Sequence, residues 1–357
     1  MSQRLCRLNA LSVGWLGAIG LGLATGAIGM PRLNAATPLG AAAVLTVNPQ
    51  TGNDAAARSG RGTFQTIASA LETAAEINGG VTIQLAPGTY SAASGERFPL
   101  RLGDGITLVG DLSGRGQNVT IQGAGGFSSR TFSQQAVAVV ITGSSTITGV
   151  TVSNPVQRGT GIWVEGNGAT PTISNSRLIG NHRDGIFVSG STRPNILSNW
   201  FQNNGGNGLA IAREAAGVVR ANQFQSTGFG IVIGGTASPI VENNAITQNR
   251  DGVVISNSAQ PTLRRNQIQG NTNDGLVIID RAQPDLGTLT SPGGNRITNN
   301  GRYAIFNANR GATIQAVGND LDSARVMGPV LLSQWGPTRQ SIARPIARPI
   351  ARWMPLP

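Results

Sequence analysis

The chain has 357 residues, among them 50 Gly, 18 Pro, one Cys and one His, and its 27 basic residues are all arginine. Without lysine there is no P-loop phosphate cradle and no Schiff-base site, one His and one Cys cannot build a zinc finger or a multi-histidine centre, and 39% hydrophobic residues is too apolar for a disordered chain. The formal charge of +11 sits mostly at the two ends, and residues 36–338 carry 20 Arg against 16 acidic residues, a weakly basic body with neither a duplex-binding footprint nor an RNA-recognition signature, so nucleic acid is not expected as a partner.

In chain order, Arg4 and Arg7 precede a charge-free stretch, residues 8–31, and the small-residue segment Asn34-Ala-Ala-Thr37 follows. This order of basic, apolar and small residues predicts a secretory signal over residues 1–36, cleaved near Ala35 or Ala36 with no transmembrane segment left afterwards, an uncleaved anchor being the alternative. The mature chain would lack cysteine, which suits an oxidising compartment (periplasm, cell surface or extracellular medium) and leaves stability to packing alone. Residues 66–77 read as one helix with Ile67, Ala70, Leu71 and Ala74 on one face, stopped by Gly79-Gly80. Residues 81–160 contain irregular alternating stretches such as Val81-Thr-Ile-Gln-Leu and Ile106-Thr-Leu-Val.

From residue 161 to 301 a repeat takes over. A glycine followed by alternating aliphatics recurs at Gly161, Gly185, Gly208, Gly230, Gly252 and Gly275. A second column runs through Pro171, Pro194, Gly217, Pro239, Pro261 and Pro284, each with an aliphatic two residues later. A third runs through Asn199, Asn222, Asn244, Asn266 and Asn295, with Ser176 in the same place one coil earlier. Each unit of 22–24 residues thus holds three short β-type stretches separated by Gly, Pro or Asn turns, too short and too broken for helices. The pattern predicts an all-β, right-handed parallel β-helix of ten or eleven coils, about 50 Å long at about 4.8 Å per coil. The region 37–325 forms one domain on this pattern, with the helix as an N-terminal cap. The asparagine column is expected to be a stacked amide ladder that satisfies turn backbone groups. Residues 326–357 add an apolar segment and the tail Ile342-Ala-Arg-Pro-Ile-Ala-Arg-Pro-Ile-Ala-Arg-Trp353, extended and basic because its prolines forbid a regular helix.

Five ordered fragments carry a family resemblance: Leu45-Thr-Val-Asn-Pro-Gln-Thr-Gly-Asn-Asp54, Phe64-Gln-Thr-Ile-Ala-Ser-Ala-Leu71, Ile83-Gln-Leu-Ala-Pro-Gly-Thr-Tyr90, Gly95-Glu-Arg-Phe-Pro-Leu100 and Ile106-Thr-Leu-Val-Gly-Asp111. Residues 45–111 resemble a bacterial family designated domain of unknown function 1565. The later coils are similar to the repeats of carbohydrate-binding proteins and sugar hydrolases of the pectate-lyase-like superfamily. The resemblance implies an exported right-handed β-helix of unassigned activity, and a shared fold does not transfer chemistry. The enzyme motifs of that scaffold are missing. There is no Asp-Asp pair, no Lys, no Trp-x-Asp-His, no Arg-x-Pro-x-x-Arg and no Asp-Pro-His-Asp, and the single histidine, His182, lies in Asn-His-Arg-Asp-Gly, which reads as a solvated turn. Polygalacturonase, pectate lyase and alginate epimerase activities are disfavoured.

Two features remain as candidate sites. The residue before each repeat glycine forms a column, Asp184, Asn207, Phe229, Asp251 and Asp274. Asp251 and Asp274 fall on adjacent coils about 5 Å apart, where two carboxylates repel by about 3 kcal/mol at an effective dielectric of 20. They must splay, share a proton or bind a cation such as calcium, and their spacing also matches a retaining glycosidase pair. The simpler expectation is that Asp and Asn suit tight turns. The middle residue of each Gly-aliphatic-x-aliphatic strand, in turn, gives a stripe of Trp163, Phe187, Ala210, Val232, Val254 and Val277, expected to face outward. Either residues 326–335 cover it, or Trp163 and Phe187 stack on sugar rings or a protein partner. Gln202, Gln223, Gln225, Gln267 and Gln269 line the next face.

These residues favour a non-catalytic exported β-helix, requiring no cofactor, that binds polysaccharide or another cell-envelope component. A metal-assisted polysaccharide lyase or hydrolase using Asp251 and Asp274 is the alternative, and a structural scaffold for protein partners is the third.

Overall fold

The computed structural model describes residues 43–309, 311–332 and the backbone of 341–342. The expected signal, residues 1–36, and the Arg/Pro tail beyond residue 342 lie outside the described residues, as does part of the apolar segment, residues 333–335.

Strands of mostly three to five residues wind into a parallel β-solenoid of about 11 turns. The strands are short because a left-handed residue ends each stretch. Asn175, Ser198, Ala221, Asn243 and Arg265 have φ between 48° and 57° at the bend from the first sheet to the second. Each coil therefore gives one strand to each of three sheets of nine, ten and ten strands on their main paths. Stacking equivalents puts like on like. Ile173, Ile196, Val219, Val241 and Leu263 pair in the first sheet, and Leu178, Phe201, Phe224, Ile246, Ile268 and Ile297 pair in the second. All of these are buried in one continuous core, and the Phe201 and Phe224 rings stack with centroids 4.4 Å apart. Each such side chain contributes roughly 1.5–3 kcal/mol when fully buried.

The repeat glycines mark close approach. A Cβ at Gly208 would lie 2.7 Å from the Gly230 carbonyl oxygen and 2.7 Å from Phe224 Cδ1, so a side chain there collides with the next coil.

The asparagines form a continuous hydrogen-bonded ladder. Asn222 shows the unit: its Oδ1 accepts from Asn199 N (2.8 Å) and Asn199 Nδ2 (3.1 Å), while its Nδ2 donates to Ile196 O (2.8 Å) and Asn244 Oδ1 (3.0 Å). The same bonds join Asn244 to Asn266 and Asn266 to Asn295, and Ser176 N donates to Asn199 at the upper end. A second ladder, Asn181, Asn204, Thr227, Asn249, Asn271 and Asn300, lies five residues further along each coil. It turns the chain from the second sheet toward the third. Its sequence signal is an amide or hydroxyl at a constant offset from the first ladder, with Thr227 substituting a hydroxyl.

At the N-terminal end, α1 (Asp54–Arg58) and α2 (Ile67–Ala74) precede the first full coils. Helix α2 buries Ile67, Ala70, Leu71 and Ala74. It ends three residues short of the expected span because Glu76 N and Ile77 N bond carbonyls only three residues back as the chain tightens toward Gly79. The irregular region also holds a feature that the repeat does not announce. Strand Gly125–Ser129 folds back antiparallel on Ser133–Ile141, and the resulting hairpin lies against the third sheet.

Candidate functional site

The acidic column is built into the solenoid wall at the turn entering the third sheet. Asp184, Asp251 and Asp274 are all buried. Each carboxylate accepts the backbone N–H of its equivalent in the next coil: Asn207 N to Asp184 Oδ1 (3.1 Å), Asp274 N to Asp251 Oδ1 (3.0 Å) and Tyr303 N to Asp274 Oδ1 (3.1 Å). An arginine then faces the free oxygen of each, Arg183 at 2.8 Å from Asp184, Arg250 at 3.7 Å from Asp251 and Arg302 at 2.6 Å from Asp274. Burial pushes the Asp274 carboxyl above the ordinary carboxylate value, with Asp251 adding to the push and Arg302 and the Tyr303 N–H opposing it.

The catalytic and calcium roles considered for Asp251 and Asp274 do not fit this arrangement. Their oxygens face N–H donors and guanidinium groups, whereas calcium needs six to eight oxygen ligands. Among the described residues no group of three or more His, Cys, Asp or Glu is placed to hold a metal ion. His182 is an exposed turn residue whose Nδ1 accepts Arg158 N at 3.2 Å.

The expected exposed stripe is corrected as well. Trp163 is 0% exposed and Phe187 7%, because the hairpin covers them. Phe127 and Phe132, one from each side of the hairpin turn, pack edge or tilted against the Trp163 ring with centroids 6.1 Å away. Trp163 and Phe187 stack on each other at 4.2 Å and 13°. The indole N–H donates to Glu165 Oε2 at 3.1 Å, so neither ring face nor the indole proton is open to a sugar. The segment proposed as the cover does something else: Val326–Met327 pairs with Ile305–Asn307 to extend the third sheet, and Val330–Leu332 joins a small separate sheet. Two phenylalanines, Phe127 and Phe132, set among Gly, Ser, Thr and Gln gave no signal of this cover, since their apolar contacts are made only across coils.

Holding the hairpin down creates a cleft. Thr131, at the hairpin tip, donates its hydroxyl to Glu165 Oε1 (2.9 Å) and contacts Ser189 Oγ (2.9 Å), and Arg213 Nη2 donates to Thr131 O (3.0 Å). The Arg213 guanidinium also lies 5.0 Å over the Phe132 ring. Between the tip and the turns that leave the third sheet is an open cleft of about 410 Å³ lined by Arg130, Thr131, Asn167, Gly190, Ser191, Arg213 and Glu214. That volume lies within the range of about 300–1,000 Å³ usual for ligand sites. Among the described residues, the side chains of Arg130, Asn167 and Glu214 make no hydrogen bond or ion pair, and all three are exposed. Two guanidinium groups, a carboxylate and an amide thus converge on one cavity with their hydrogen-bonding capacity open. None of these residues stands in a repeat column.

The motif fragments near the N-terminus have a structural task. Asp54 accepts from Gln65 N, Thr66 N, Thr66 Oγ1 and Ser69 Oγ, and Glu96 takes Ile67 N (2.7 Å) and Ala68 N (2.9 Å). Glu96 and the Thr66 hydroxyl, which takes Ser69 N at 3.1 Å, satisfy the open N–H groups at the start of α2, and Asp54 holds the capping residue Thr66 in place. A family model described as a protein of unknown function, DUF1565, matches residues 50–326, from this cap through the coils. The chain belongs to the DUF1565 family. No curated protein matches the sequence. Among solved structures, this DUF1565 protein is similar to pectate lyase Pel9A at 16% identity and a TM-score of 0.52, over 82% of this chain and 76% of that one. It also matches the A-module of the Azotobacter vinelandii mannuronan C-5 epimerase AlgE4, at 16% identity and a TM-score of 0.43 over 84% and 100% of the two chains. At such identities the likeness speaks for the pectate-lyase-like β-helix fold alone. Among the described residues no helix is long and apolar enough to cross a membrane.

Proposed function

We propose that this DUF1565 protein is an exported, non-catalytic β-solenoid that binds polysaccharide or a related cell-envelope glycan in the cleft beside the hairpin. The observation that carries this is the convergence of Arg130, Asn167 and Glu214, unpartnered among the described residues, with Arg213 on one open cleft. Sugar hydroxyls act as donor and acceptor at once, and a cleft offering guanidinium and amide donors beside a carboxylate acceptor matches them group for group. The hairpin supports the role by fixing one wall of the cleft against Glu165, Ser189 and Arg213. Pel9A by its name acts on pectate and AlgE4 on mannuronan, and a glycan ligand is in keeping with that company. A lyase or hydrolase is less well supported, because the buried Asp251 and Asp274 are held by the next coil's N–H groups and by arginine. The order of basic, apolar and small residues over 1–36 supports the exported part of this reading.

The test is a glycan-array screen of the mature chain, residues 37–357, with chromatography of every ligand bound. Retention of at least one glycan class with its chain length unchanged supports the proposal. Shortened or unsaturated products would overturn the non-catalytic role, and no retained glycan at all would overturn the glycan role.

A further inference from the structure

The charged groups of the cleft go beyond general hydrogen bonding. Arg130 stands at the hairpin tip, exposed and without a partner among the described residues. Arg213 lines the same cleft from the turn that follows strand Asn207–Ile211. Of the five N–H donors of that guanidinium, one is committed to Thr131 O and the group lies 5.0 Å over the Phe132 ring. The lining holds one carboxylate, Glu214, which forms no ion pair with either arginine. A second carboxylate, Glu165, lies buried behind the wall with its oxygens bonded to Trp163 Nε1 and Thr131 Oγ1. The solvent-facing lining therefore presents two cations against one anion, with one cation on the hairpin and the other on the solenoid.

Resting on the glycan reading above, we infer that the cleft selects acidic saccharides. Their anionic group bridges Arg130 and Arg213, and Glu214 accepts hydrogen bonds from neighbouring hydroxyls. Arginine pairs with carboxylate or sulfate oxygens through two parallel N–H···O bonds, which are shorter and stronger than neutral ones. A ligand held in this way joins the hairpin to the coil, so Arg130 is the specificity-determining residue and Arg213 keeps its anchoring contacts.

The experiment is titration calorimetry of the mature chain with oligosaccharides of equal length that are neutral, carboxylated or sulfated, at low and high salt, using the wild type, Arg130→Gln and Glu214→Gln. Among the described residues the Arg130 side chain makes no hydrogen bond or ion pair, so its variant is expected to keep the fold. Expected is a preference for one of the two anionic oligomers over the neutral one, weakened by salt and reduced about ten-fold in Arg130→Gln, as loss of one charge-assisted contact implies. Glu214→Gln should leave the anionic oligomer bound at least as tightly. Which anionic arm binds identifies the group the cleft takes. Equal affinity for neutral and anionic oligomers, or an Arg130→Gln variant indistinguishable from wild type, overturns the selectivity and leaves the glycan role standing. Binding of none of the three to the wild type overturns both.

Discussion

Replacing Asn222 with alanine removes an amide at the middle of the first ladder, where it accepts two hydrogen bonds from Asn199 and donates two, to Ile196 O and Asn244 Oδ1. The backbone of residue 222 still reaches Asn244 Oδ1, so the loss falls on the coil above. Asn199 N, buried, is left without an acceptor, and Asn199 Nδ2 keeps only its bond to Ile173 O. Each buried donor stranded in this way costs about 1–3 kcal/mol, so the change should destabilise the solenoid by about 3 kcal/mol. For a chain whose urea dependence is near 3 kcal/mol per molar, the midpoint falls by about 1 M. Asn222→Ser should cost less, because Ser176 already serves the first ladder with a hydroxyl that accepts Val150 N of the coil above at 3.2 Å. The assay is equilibrium urea unfolding followed by circular dichroism, with the exposed neighbour Gln223→Ala as reference. If Asn222→Ala and Gln223→Ala shift the midpoint equally, within the roughly 0.5 kcal/mol typical of surface changes, the ladder does not hold the coils together and the reasoning fails.

Trp163→Ala should lower stability by about 3–5 kcal/mol, as removal of a buried aromatic does, and its melting temperature should drop. An unchanged melting temperature would show that the hairpin does not pack on the indole. Asp274→Asn tests the acidic column through pH. Because the folded carboxyl lies above the ordinary value of 3.8, the unfolded chain releases its proton first as pH rises, and wild-type stability falls across the interval up to the folded value. An amide side chain at this position removes that fall, just as Asn207 donates to Asp184 at the equivalent place in the column. Stability of the two proteins measured from pH 3 upward should therefore diverge in favour of the Asp274→Asn variant, and parallel curves would refute the burial effect. Gly208→Ala forces a methyl within 2.7 Å of the Gly230 oxygen and should destabilise by about 1–3 kcal/mol, read as a lower urea midpoint. Wild-type stability in this variant would mean that the coils have slack there.

Much of this architecture was legible in the sequence because a solenoid stacks each unit on its own likeness. Ile173 meets Ile196 and Asn222 meets Asn244 through a contact that repeats at a fixed separation, so a column in the sequence becomes a column in space. Local chemistry sufficed for the helix that Thr66 begins, whereas the hold of Asp54 on Thr66 and of Glu96 on Ile67 N, 29 residues apart, came only with the fold. The outward side of the third sheet behaved differently. Trp163 and Phe187 read as exposed because alternation fixes which side of a strand a residue occupies, and alternation carries no information about what lies on that side. The cover came from the non-repeating residues 125–141, and the latch between Thr131 and Arg213 joins residues 82 apart. The acidic column was visible, yet only the stacked coils decided that its carboxylates point at the next coil's N–H groups rather than at one another. The sequence thus determined the repeat, the core columns and the first ladder, which depend on periodic contacts. Tertiary structure alone decided the buried aromatic pair and the arginine-rimmed cleft, which depend on one irregular hairpin folding across several coils.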